Sequence, residues 1–277
     1  MNSFLSSVLV LVRRNDNDDL VIEQGLALSE ALNQNIAIIA IIPDQSSQEA
    51  SDAIVDYLQD LKDQLRLKTR SSITTIVKQG RIMPVLSSLS DELEAASIVM
   101  EMPQESKLKF YKDVQLMKQS RQFKMPFLMV RPNTKAPNYN TIYIPISFRK
   151  EEKEKFIWAS YFGRFNNSDI VLIPAHEKDV TARNIIKNHL LFAQNLLTKL
   201  NLSYKIIPGC YNSLSIAREA TELAAANKNG IVLICSTKHY GPDQEIVGPP
   251  ELKAIKNREQ VPVLCINPRK DLYVLCE

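Results

Sequence analysis

Short unbroken apolar runs alternate along the chain with longer stretches whose apolar residues recur every three or four positions. Runs such as VLVLV (8–12) and IAIIAII (36–42) read as strands buried on both faces, and the periodic stretches as helices with one inward stripe. That alternation predicts βα units and a parallel sheet. In the first half the strands fall near 7–12, 36–42, 73–77, 97–101 and 126–130. The first helix starts at Asp18 or Asp19, either of which can cap it, and runs to about Asn33 with Val21, Leu28 and Leu32 inward. A second helix over about 47–67 carries Ile54, Leu58, Leu61 and Leu65 on one stripe, and Pro84 suits the first turn of a third. In the second half strands fall near 141–147, 169–174, 203–207, 230–235 and 261–266, with helices near 150–166, 181–201, 213–228 and 248–259. The tail DLYVLCE (271–277) reads as an extra edge strand.

The two halves are copies of one another. MPFLMVRP (125–132) answers VPVLCINP (261–268) at an offset of 136, while VLVLV answers IYIPI (142–146) and IAIIAIIP answers DIVLIPA at 134. Three segments holding nearly one offset across so long a span indicate duplication. The joint lies in RPNTKAPNYN (131–140), rich in proline and asparagine. Two units follow, 1–135 and 139–277, each expected to bury its own separate five-stranded parallel sheet with helices on both faces.

Composition narrows the function classes. A 45% hydrophobic and 23% charged chain of 277 residues has the apolar material for real cores. A net charge of +3, from 34 basic and 31 acidic residues, gives no electrostatic footprint for nucleic acid or a membrane surface. The longest apolar run, Ile36 to Ile42, is far short of the roughly 20 residues that a spanning helix needs. The start MNSFLSSVLVLVRRNDND places its charges after the apolar run, the reverse of a signal peptide, so a cytoplasmic location is expected. Cys210, Cys235, Cys265 and Cys276 lack C-x-x-C spacing and read as idle or buried thiols.

TIYIPISF leading into EEKEKFIWASYFG, then DIVLIPAHE, GIVLICSTKHYG and the closing PVLCINP together resemble the universal stress protein superfamily, in its tandem-domain form. The resemblance covers nearly the whole chain. It implies two doubly wound α/β domains related to the adenine nucleotide alpha hydrolases, paired within the chain through their last strands, PFLMV against PVLCI. That arrangement leaves other faces for a homodimer or a protein partner. Many members of the family bind ATP through G-x2-G-x9-G-[S/T] after the fourth strand, where glycines let backbone amides approach the phosphates. Aligning Gly248 with the third glycine puts Cys235 and Lys238 where the first two would stand and Pro249 in place of the hydroxyl residue. The matching stretch of the first half, MEMPQESKLKFYKDVQ, has no glycine. The acidic residue that closes the first strand in ATP-binding members is replaced by Ser147, and by Arg13 in the first half.

The resemblance therefore implies a stress-response regulatory or adaptor protein without catalysis and without a cofactor. The alternative is a protein that still holds ATP, AMP or another small ligand around Ser147, Pro174, Cys235, Lys238 and Gly248, with weak hydrolysis. His176 and His239 follow strand ends, where an open α/β sheet receives ligands, whereas His189 lies mid-helix. No nucleophile, base and acid form a readable catalytic set. RKEEKEK (149–155) reads as a solvated first helical turn, the lysines and arginine from Lys107 to Lys124 as a solvated basic helix face, and Trp158 as core or interface packing.

Overall fold

The computed structural model describes residues 6–102, 109–227, 230–237 and 248–268. The first half contains β1 (Ser7–Val12), α1 (Asp18–Ala31), β2 (Asn35–Ile42), α2 (Gln48–Leu65), β3 (Ile73–Gln79), α3 (Ile82–Glu92), β4 (Ser97–Glu101), α4 (Lys109–Ser120) and β5 (Phe127–Val130). The second half repeats the order with β6 (Thr141–Ile146), α5 (Lys153–Asn166), β7 (Asp169–Pro174), α6 (Val180–Lys199), β8 (Tyr204–Ile206), α7 (Ile216–Ala226), β9 (Ile231–Cys235), α8 (Pro250–Ile255) and β10 (Val263–Ile266). A 3-10 turn, Lys150–Glu152, leads into α5. The tail 271–277 lies outside the described residues.

The strands form one sheet in the order β3-β2-β1-β4-β5-β10-β9-β6-β7-β8. Within each half every strand pairing among the described residues is parallel, and the chain winds outward through three strands before crossing back to the fourth. The reversal places a topological switch point between β1 and β4, and another between β6 and β9. Duplication extends to register: Val8 faces Ser97, and 134 positions on Ile142 faces Ile231. The expectation of two separate sheets is corrected. β5 and β10 pair antiparallel, Leu128 opposite Leu264 and Phe127 opposite Cys265, which fuses the five-stranded sheets edge to edge. An unpaired central edge as apolar as Phe127–Val130 invites such closure, and the second copy supplies it.

Side chains lock the same seam. The Asn267 amide nitrogen donates to the carbonyls of Ser120, Phe123 and Met125 at 2.9, 3.1 and 3.2 Å, while its oxygen accepts from the Ser236 hydroxyl at 2.7 Å. Arg131 donates to the carbonyls of Ile255 and Asn257 at the end of α8, and Lys256 pairs with the buried Asp113 of α4. The linker is anchored by Tyr139, whose hydroxyl donates to the buried Gln24 of α1 at 2.6 Å. Trp158 is half-buried on α5, edge-on to Tyr161, facing a cavity between α5 and the amino ends of the first-half strands, so it is an interface residue. Among the described residues no helix is long and apolar enough to cross a membrane.

Candidate functional site

The carboxyl ends of β6 and β9 open into a cavity of about 640 Å³ lined by α7 and α8. Its position follows from a local fault in the duplicated ladder. In the first half β1 and β4 stay paired as far as Leu11 and Met100, whereas the β6–β9 ladder ends at Tyr143 and Val232. Pro145 is the counterpart of Leu11 and has no N–H to give. Its carbonyl instead accepts from the Lys155 ammonium, which also pairs with Glu152. Lys155 stands where the first half has Val21, and it is only 2% exposed.

Glu152 in turn holds the end of the strand. Its carboxylate accepts from the Ser147 amide at 2.9 Å and the Ser147 hydroxyl at 3.1 Å. The Ser147 carbonyl lies 3.0 Å from His189 Nδ1, so that nitrogen carries its hydrogen toward it. Burial lowers the His189 pKa from its ordinary value, while the hydrogen bond to Ser147 and the charge of Glu152 oppose the shift. The expected solvated turn at 149–155 is therefore corrected: Glu152, Glu154 and Lys155 are buried. Mixed charges at a helix start looked like surface because each residue alone is costly to bury, and the pairing across one turn offsets that cost.

A common device runs along this edge, in which carboxylates fold back onto backbone amides. Glu251 of α8 accepts from the Thr237 amide and hydroxyl, both at 3.0 Å, just past β9. Glu219 accepts from the amides of Cys210 and Tyr211, and Glu177 from the Ser213 amide at 2.7 Å. The first half repeats it. Asp18, 134 positions before Glu152, accepts from the amides of Arg13 and Arg14 at 2.9 and 2.7 Å. This corrects the expected helix-capping role of Asp18 or Asp19; the N-cap is Asn17, with no side-chain cap bond. The Tyr57 hydroxyl also donates to Asp18, and burial together with that carboxylate pushes its pKa up to about 12. At the end of β4, Glu101 is held by the side-chain amides of Asn15 and Asn17 at 2.9 and 2.6 Å.

Of the residues singled out from sequence, Ser147 and Cys235 line the cavity together. Burial raises the Cys235 thiol pKa, which keeps it protonated. Pro174 ends β7 and accepts from the Gly209 amide at 2.9 Å but is outside the cavity lining. Gly248 is buried, with φ of 81°, the left-handed region glycine favours, and precedes the prolines that open α8; it too is outside the lining. Lys238 and His239 lie outside the described residues. His176 is exposed, its amide bonded to the Tyr211 carbonyl at 2.8 Å. Sequence reasoning missed Glu152, Lys155, Glu177, Glu219 and Glu251. One signal was available, the acidic residue six places beyond the end of each first strand, Asp18 after Val12 and Glu152 after Ile146.

Solved structures of the same architecture align over the full chain. A universal stress protein from Archaeoglobus fulgidus DSM 4304 superposes with a TM-score of 0.68 at 13% identity, covering 97% of this chain and 98% of that one. The chain has the fold of a tandem universal stress protein. A Pseudomonas aeruginosa UCBPP-PA14 protein that bears the universal stress protein name provisionally gives 0.64 at 14% identity, covering 99% and 98% of the two chains. A Pseudomonas aeruginosa PAO1 protein of unknown function gives 0.63 at 14%, covering 100% and 98%. No protein-family model and no curated protein matches the chain. Identities this low establish the universal-stress-protein fold and leave activity to be argued from the site.

Proposed function

We propose that this chain is a stress-response regulatory or adaptor protein of two universal-stress-protein-like units, 1–135 and 139–277, that acts through its surfaces rather than by catalysis. One observation carries the reading: the backbone amides at the ends of the first strands, on the sheet edge where an open α/β fold receives ligands, are held by the chain's own carboxylates, Asp18 in one half and Glu152 in the other. Glu251 does the same for the Thr237 amide, so a phosphate arriving there meets a buried carboxylate in place of a bare N–H. Repulsion between that carboxylate and a polyphosphate disfavours binding. Calorimetric titration of the full chain with ATP and AMP is expected to give no saturable heat tighter than about 1 mM. A micromolar dissociation constant for either nucleotide would overturn the reading.

A second reading has its own support in the cavity at the carboxyl ends of β6 and β9, which is large enough for a small ligand. In that reading the second unit is a binding module and Ser147 and Cys235 belong to its wall. Mass spectrometry of the protein purified under native conditions, looking for a retained molecule, separates the two. A stoichiometric ligand favours the binding module.

A further inference from the structure

We infer that the second-half cavity binds an amphipathic organic anion, a single carboxylate- or phosphate-type head on an apolar body. The inference rests on the reading above that the backbone donors at this edge are internally satisfied, and it deepens the second of the two functions. The floor is apolar: Ile216 and Ala217 of α7, Ile234 of β9 and Ala254 of α8 line it, and Leu214, an exposed leucine, forms part of its lip. Such a floor has no hydrogen bond to offer, and an apolar body gains by leaving water for it.

The lining also carries charge of one prevailing sign. Lys155 is committed to Glu152, Lys256 to Asp113 and Arg218 to Glu222. Arg149, Lys253 and Arg258 line the same cavity with no ion-pair partner among the described residues; Arg149 makes only a long contact, 3.4 Å, to the Thr237 hydroxyl. Of the glutamates in the lining, Glu152 and Glu222 are ion-paired and Glu251 is folded onto Thr237; counting the Glu251 charge with that of Glu259 still sets two carboxylates against the three cations. Side-chain cations at a rim suit one anionic head. A polyphosphate needs several converging donors, and among the described residues the amides of Ser147, Phe148 and Thr237 at this edge are already bonded to Glu152, Ser213 and Glu251.

The test titrates octanoate, 1-octanol and ATP separately into the full-length protein by calorimetry, with the Lys253→Ala/Arg258→Ala double variant and Ala217→Trp alongside. Lys253 and Arg258 are exposed and have no ion-pair partner among the described residues, so their removal spares the fold. Octanoate is expected to bind saturably at one site, the octanol about tenfold more weakly, and the double variant to lose about tenfold for octanoate while binding octanol as before. Ala217→Trp, which fills the floor, should abolish both. Equal binding of octanol and octanoate, or an undiminished octanoate affinity in the double variant, overturns the inference. So does the absence of saturation by octanoate, which leaves the self-capped edge standing. ATP binding as tight as octanoate overturns both.

Discussion

Lys155 and Pro145 illustrate how two substitutions between duplicated halves can make a cavity. The first half keeps Leu11 and Val21 at these places and a longer ladder, while the second half exchanges a ladder bond for an ammonium that bridges the Pro145 carbonyl and Glu152. Removing one partner of a buried pair leaves the other uncompensated, so Lys155→Val should cost about 3–5 kcal/mol in urea unfolding. Adding Pro145→Leu, which restores an amide to the strand and the pairing seen in the first half, should recover part of that loss; no recovery would mean that Lys155 has a role other than mending the ladder. His189 adds a pH term. Its folded pKa lies below the ordinary value near 6.5, so the unfolded chain takes up the proton first as pH falls. Stability from this group is fully present above that value and is lost on descending toward the folded pKa, with a slope of at most about 1.4 kcal/mol per pH unit. A His189→Gln variant, which keeps a donor for the Ser147 carbonyl, should flatten the acid limb of a plot of urea midpoint against pH. An unchanged limb would assign it to the carboxylates.

At the level of elements, most of the architecture was legible because both-face burial writes strands as continuous apolar runs. SIVME and IVLIC need no periodicity argument once Gly or Ser brackets them, and both are fully buried strands at the same register. The tandem and its duplication were visible in offsets of residues such as Pro126 and Pro262. What escaped was whatever depends on where a side chain folds back. Asp18 reads equally well as a helix cap or a strand-end cap, and only the loop geometry at Arg13 and Arg14 decides between them. The site residues borrowed from a glycine-rich motif fared unevenly for the same reason: Ser147 and Cys235 sit at strand ends fixed by the sheet, while Pro174 belongs to the next strand outward. Helix-on-sheet spacing gives a sharper expectation. Gly25 brings α1 directly onto β1, and a Cβ there would lie 2.3 Å from Val10 Cγ2. Gly25→Leu should therefore destabilise by about 1–3 kcal/mol despite its better helix propensity, with Val10→Ala relieving part of the strain. Additive costs in the double variant, read from denaturant midpoints, would show that the helix shifts instead of pressing on Val10.

Across the whole molecule the seam between β5 and β10 is the centre of the sheet rather than a contact between finished domains. It carries buried Leu128, Phe127, Leu264 and Cys265 opposite one another, the Asn267 bridge to three carbonyls, and the reach of Arg131 to the end of α8. The outermost strands are of the opposite kind. β8 is three residues long with two of them exposed, and β3 buries only Ile73 among its seven. Stability that follows burial and paired backbone should fall from the seam toward both edges. Native-state hydrogen exchange is expected to protect the amides of β5, β10, β4 and β9 up to the global unfolding free energy, and to release β3 and β8 through local openings. Asn267→Ala should lower that global value for both halves together, since its side-chain amide, carried by the second half, satisfies three backbone carbonyls of the first. If the variant weakens only the second half, or if the seam amides exchange sooner than the edges, the halves open independently and the joined sheet is a docking of two stable units rather than a single cooperative core.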